Sequence, residues 1–204
     1  MVGVAISVVL GSVLGITAGY FGGMVDHIMQ RSIEVLRSFP RIPLWMALGA
    51  AIPADVDQVK SYFLITVILS ILGWTGLARV LRGQIMALRE EDFVVAARIM
   101  GASRRRVIFR HLLPAVMGHI IVVATIAVPG MILAESSLSF LGLGIRPPMV
   151  SWGALLKDCQ SLVTLMYHQW LLAPAALIIV AVFCFNFLGD GLRDAADPYS
   201  QVRR

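Results

Sequence analysis

Few residues in this chain belong to the types that carry out chemistry, and one segment concentrates them. From Arg79 to His111 the sequence reads RVLRGQIMALREEDFVVAARIMGASRRRVIFRH. Glu90, Glu91 and Asp92 precede an apolar stretch, where carboxylates favour a helix N-terminus. Gly101 interrupts it, and Ser103 is placed to cap a second short helix whose bases, Arg104, Arg105, Arg106 and Arg110, run on toward the next apolar run. Pro114 follows just inside that run. The pattern predicts a helix–glycine–helix elbow, rich in contact chemistry and poor in catalytic chemistry. Phe93, Val94, Ile99 and Met100 are large, whereas Ala96, Ala97, Gly101 and Ala102 are small. Small residues beside a basic flank suit a helix that seats in the groove of another protein. An amphipathic helix resting on anionic headgroups has the same composition.

Elsewhere the reactive types are scattered. The four histidines, His27, His111, His119 and His168, form no HExxH or His/Cys cluster, and the two cysteines, Cys159 and Cys184, make neither a disulfide framework nor a metal motif. Cys184 lies in an apolar run and reads as packing. A phosphate-binding GxxxxGK[ST] loop needs a Gly-Lys pair, but the only lysines, Lys60 and Lys157, follow Val59 and Leu156. With no GxSxG and no zinc spacing, the expectation is a protein without catalytic, metal or cofactor residues.

The elements that carry the elbow are apolar. Of 204 residues, 58% are hydrophobic and 14% charged, with mean hydropathy +0.84; a soluble domain carries ~25% charge. The net charge of +5 does not indicate nucleic acid, because the arginines cluster between apolar runs and form no single basic face. A membrane core of ~30 Å takes about 20 residues of helix. Uncharged stretches that meet this lie at 1–25, between Lys60 and Arg79, at 112–134, and within 159–189 with its densest part at about 170–188. A fifth, 42–54, is too short alone. The amphipathic stretch before it (Met24, Ile28, Val35, Phe39) extends it from the membrane surface, with a kink or break at Pro40 and Pro43.

Five spans place 14 of the 17 basic residues on one side, leaving only Lys60, Arg146 and Lys157 opposite. The basic side is expected to be cytoplasmic and to hold the elbow and the C-terminus. The same count puts Met1 outside at the edge of a span, so an upstream span is expected to be missing. Gly11, Gly15 and Gly19 recur at every fourth residue, either a face for close helix approach or the ordinary glycine content of membrane helices. Pro129 is expected to kink its helix. Glu135 is the acid nearest a span's end, where a headgroup position competes with a role in the path.

AARIMGASRRRVIFRHLLP resembles the "EAA" loop of ABC-importer permeases, with Ala96, Ala97, Gly101, Leu113 and Pro114 in matching places and Val95 where that pattern has glutamate. Further stretches, AGYFGGMVD (18–26), GLARVLRGQIMALREEDFVVAARIMGAS (76–103), ILAESSLSFLGLGIRPPMVSWGALL (132–156) and FNFLGDGLRDAADP (185–198), are similar to the second permease subunit of dipeptide, oligopeptide and nickel importers. The resemblance implies an all-α, polytopic bundle of about five transmembrane helices, with residues 1–204 forming one permease domain and a coupling loop at about 89–112. It also implies ATPase coupling through Ala96, Ala97, Gly101, Ala102, Arg105 and Pro114. Implied partners are ABC ATPase subunits that bind the ATP, a second homologous permease, and a periplasmic or lipid-anchored solute-binding protein. The solute, peptide or nickel or a related small molecule, stays open, as do the substrate-contacting residues. The segment from Ile145 to Tyr167, with Pro147, Pro148 and Trp152, lies outside and is suited either to the binding protein or to turn formation alone. Two other functions fit an apolar bundle: an autonomous channel or secondary transporter, and an inactive scaffold fragment.

Overall fold

A computed structural model of the chain describes residues 1–53, 55–145 and 148–196. Among these lie ten α-helices: α1 Val2–Phe21, α2 Gly23–Ser38, α3 Arg41–Ala50, α4 Gln58–Leu88, α5 Asp92–Ile99, α6 Arg104–Val107, α7 Leu113–Phe140, α8 Trp152–Leu156, α9 Leu162–Tyr167 and α10 Ala173–Ala196. The bundle is all-α among the described residues. Four helical stretches are long and apolar enough to cross a membrane: Val2–Phe21, Gln58–Leu88, Arg104–Phe140 and Gln169–Ala195.

The scaffold is the pair α1 and α4, and glycines set their spacing. A Cβ on Gly11 would lie 2.9 Å from the Trp74 carbonyl oxygen, one on Gly15 2.7 Å from that of Ala78, and one on Gly19 2.7 Å from that of Arg82. The fourfold repeat is therefore a contact face on which two backbones nearly touch. Ser70 adds a polar tie, its Oγ 3.0 Å from the Gly3 carbonyl. Partner numbers rise together along the two helices, so α1 and α4 run parallel. The chain must return the whole length of the bundle between them.

That return is made by α2 and α3. Asp26 pairs with Arg82; Met29 and Ile33 then pack with Ala18, Ala78, Leu14 and Trp74; Trp45, Met46 and Ile52 pack with Ile65 and Leu69. The break falls at Phe39–Pro40, both in extended conformation, because proline disfavours helix in the residue before it. The return is thus made by a broken pair, α3 alone being about 15 Å long. The charge count set Arg31, Arg37 and Arg41 on the elbow side; α2 instead climbs along the bundle's flank and carries Arg31 and Arg37 with it.

From the elbow end α7 returns, running through Pro129 without ending, and α10 descends against it with Gly189 packed on Ile126. At the far end, α8 seats on α7 so closely that a Cβ on Gly153 would meet the Ser136 backbone at 2.2 Å. Arg146 and Pro147, named above, lie outside the described residues. The outward face of α10 bears Leu177, Ile179, Val180, Phe183 and Phe187, an apolar surface suited to lipid. Cys184 is exposed on that helix, so it is not core packing of this chain; Cys159 donates its thiol to the Leu171 carbonyl at 3.2 Å.

Candidate functional site

The elbow is built by local rules and then bolted to the bundle. Glu91 flanks the start of α5, and its carbonyl accepts from Val94 and Val95. At the other end Gly101 takes φ +82°, the left-handed region that glycine occupies without steric cost. Ala102 N donates to Ala97 O and Gly101 N to Arg98 O, each at 3.0 Å, the pair of bonds that closes a Schellman ending. Ser103 Oγ accepts from Arg106 N at 3.4 Å and starts α6. The sequence foresaw the carboxylate start, the glycine stop and the serine cap.

Beyond α6 the helix does not restart at Pro114. Residues Ile108–Leu112 form a π-helical turn, with Leu113 N donating to Ile108 O, and lead directly into α7. Proline in a running helix lacks an N–H and crowds the carbonyl four residues back, here that of Arg110. The wider turn contains that residue and relieves the crowding. The elbow is thereby continuous with a helix long and apolar enough to cross a membrane.

Each expected coupling residue has a definite place. Ala96 is exposed on α5, with Val95 and Phe93 also turned outward. Ala97 is 4% exposed and Val94 0%; both face the bundle, Val94 in a cluster with Ile85, Val107, Leu112 and Val116. Ala102 is half-buried against that cluster. Gly101 and Arg105 are exposed, Arg105 with its guanidinium 5.9 Å from the Phe109 ring. Pro114 is exposed in the first turn of α7. Ala96, Gly101 and Arg105 are therefore available to a partner, whereas Ala97 and Ala102 seat the elbow on its own scaffold.

Two further groups lie outside the expected coupling set, the first of them noted in the sequence only for its size. Ile99 and Met100 are 82% and 81% exposed at the α5 tip. Their signal was present: two large apolar residues just ahead of a helix-ending glycine. The second group anchors the elbow to the end of α1. Arg98 lies over the Tyr20 ring at 5.4 Å, Arg104 over Phe21 at 6.0 Å, and Arg89 Nη1 donates to the Gly19 carbonyl at 3.2 Å. Cation–π contacts at exposed sites are worth about 0.5–1 kcal/mol each, so they orient the elbow and Val94 supplies the hold. No sequence spacing links α1 to residues 98–104, because these contacts span the fold.

Among the described residues no three His, Cys, Asp or Glu side chains come together as metal ligands. Glu135 is half-buried and accepts from Ser139 Oγ at 2.6 Å, while the same Oγ accepts from Ile145 N at 2.9 Å. These bonds tie the far-end loop to α7.

The elbow is thus packed against the bundle through Val94, with Ile99 and Met100 bare at its tip. Residues 11–200 match the family described as the binding-protein-dependent transport system inner membrane component. The chain belongs to that family. With its spanning helices, this makes it a multi-pass component of an inner membrane. Among relatives, it is 44% identical over 202 residues to the oligopeptide transport system permease protein OppC of Haemophilus influenzae, covering 97% of this chain and 62% of that protein. It is 38% identical to the protein of the same description in Bacillus subtilis, covering 97% and 63%. It is 41% identical to the dipeptide transport system permease protein DppC of that organism, covering 95% and 58%. The chain thus spans less than two thirds of the length of these relatives.

Proposed function

We propose that the chain is the transmembrane permease subunit of an ATP-driven ABC importer for peptides or related small solutes such as nickel, working beside a second homologous permease. The observation that carries this reading is the elbow, with Ile99 and Met100 bare at its tip while Val94 and Ala97 lock it to α4 and α7. Exposed large apolar side chains next to a basic flank fit a protein groove. ABC ATPase subunits bind the nucleotide and offer that groove. The elbow end is cytoplasmic, together with the C-terminus, and the far end with α8 and α9 meets a periplasmic or lipid-anchored solute-binding protein. The family membership and the names of the relatives support peptides as the cargo class.

Mechanically, closure of two ATPases on ATP draws the paired elbows together. The α6–π-turn–α7 continuity transmits this to the spanning helices and switches the path between inward and outward access. The test is uptake by the co-expressed importer together with recovery of the ATPase on the tagged chain. Wild type should take up peptide in an ATP-dependent way and recover the ATPase. Ile99→Asp with Met100→Asp should lose both while remaining inserted and folded. ATP-independent flux through the chain alone would make it a channel, and no flux with any partner would make it a scaffold.

A further inference from the structure

The return path between the parallel helices α1 and α4 places charge where a membrane bundle least tolerates it. On α4 the run from Ser61 to Ala78 is uncharged. Ile33 of α2 packs at the level of Trp74 and Ala78, and Trp45 and Met46 of α3 pack at the level of Ile65 and Leu69. Arg37, one helical turn past Ile33, and Arg41, the first residue of α3, fall between those levels, at mid-depth of the apolar run. Both are exposed, and among the described residues neither has a hydrogen-bond or ion-pair partner. Arg31 and Glu34, 3.3 Å apart, add a second pair of charges to α2, whose exposed surface also carries Ile28 and Val35.

A second observation is independent of the charges. The backbone breaks at Phe39–Pro40, and every residue from Glu34 to Pro43 except half-buried Leu36 is exposed. Broken backbone at membrane depth leaves carbonyls that lipid cannot satisfy, and it persists where it lines water or protein. Mid-depth ionisable residues likewise face a water-filled cavity and mark solute pathways.

We propose that the α2–α3 break lines the aqueous translocation path and that Arg37 and Arg41 hold the carboxylate of a solute in transit. This rests on the importer reading above and narrows its solute. Two unpaired guanidinium groups repel a bare divalent cation and match a carboxylate with forked hydrogen bonds, so the path favours a peptide with a free C-terminus over nickel ion. The side chains act as a transient ligand, weak enough to release the solute onward.

The test uses the complete importer reconstituted in proteoliposomes with its binding protein, ATPases and second permease. Arg37→Cys, in a Cys159→Ser, Cys184→Ser background, is treated with 2-sulfonatoethyl methanethiosulfonate, a charged reagent confined to water. It should be modified far faster than Leu177→Cys on the outward face of α10, and trialanine under turnover should slow that modification. Uptake of trialanine at low concentration should fall about tenfold in Arg37→Gln or Arg41→Gln, the loss expected for one charge-assisted hydrogen bond, with partial recovery in the lysine variants. Modification no faster than at position 177, or undiminished uptake in both glutamine variants, would overturn the proposal. So would loss of the second permease on purification of these variants, which would make the arginines interface ion pairs. A wild-type importer that takes up nickel ion but not trialanine would sink the peptide reading itself and the carboxylate role with it. Modification at position 37 would still show whether the break faces water.

Discussion

At the scale of single residues, Gly15 shows how little room the scaffold leaves. A Cβ there would stand 2.7 Å from the Ala78 carbonyl oxygen and 2.9 Å from the Ala78 Cα, both backbone atoms that no rotamer change can move. Gly15→Val should therefore force α1 and α4 apart and lower stability by about 1–3 kcal/mol, read as a fall in thermal midpoint of the detergent-purified protein. Gly76→Ala, where a Cβ would meet nothing within 4 Å, is the matched control and should be close to neutral. The glycine repeat was visible in the sequence, but composition alone left it undecided between contact and background. Deciding needed the helix it faces, 63 to 67 residues away along the chain by the Ser7–Ser70 and Gly3–Ser70 bonds.

At the scale of elements, the elbow was largely legible because its punctuation is local. Carboxylates, a glycine and a serine at fixed offsets encode start, stop and restart without reference to the rest of the chain. The rotational phase of α5 was not legible: small Ala96 and small Ala97 look alike in sequence, yet one faces out and the other in. Gly101 is exposed and an added Cβ meets nothing of this chain nearby, so within the chain its requirement is the backbone angle. Gly101→Val should strain the Schellman ending by about 1–2 kcal/mol and reduce ATPase recovery, whereas Gly101→Asn, which tolerates that angle better, should retain more of it. Arg105→Glu should be mild, as an exposed charge contributes less than about 1 kcal/mol. If the asparagine and valine variants behaved alike, the conformational account of Gly101 would be wrong.

The broken pair α2–α3 was half legible. Pro40 and Pro43 announced the break, and the spacing of Met24, Ile28, Val35 and Phe39 announced a helix extending from the surface, but not which of its faces packs on the bundle. Only the narrow stripe of Met29 and Ile33, buried against α1 and α4, places α2 upright. The Asp26–Arg82 pair fixes its foot. Asp26→Arg should destabilise the fold by leaving two half-buried guanidinium groups opposed, and the swap Asp26→Arg with Arg82→Asp should recover much of the thermal midpoint. No recovery in the swap would mean that the pair does not position α2.

At the scale of the whole molecule, four apolar runs, a broken return and one elbow form a continuous framework from an exposed apolar tip to the long apolar helices. Charge counting expects the basic segments together on one side, because arginine is costly at depth and common near the cytoplasmic face. It failed locally at Arg37 and Arg41, where the fold carries basic residues upward along its flank. That departure is what motivates the proposal for Arg37 and Arg41, since sequence rules are expected to break at functional sites.

The elbow tip, on the proposed function, is the docking point of an ATPase subunit. The most direct measurement places a single cysteine by Ile99→Cys, in a background of Cys159→Ser and Cys184→Ser, and asks which partner a short thiol-reactive photo-cross-linker captures in membranes holding the complete importer. Val163→Cys on α9, exposed at the far end, serves as the comparison. The account predicts an ATPase adduct from position 99, and from position 163 only adducts with the solute-binding protein. An ATPase adduct from position 163, or none from position 99 in an importer that is taking up peptide, would contradict it.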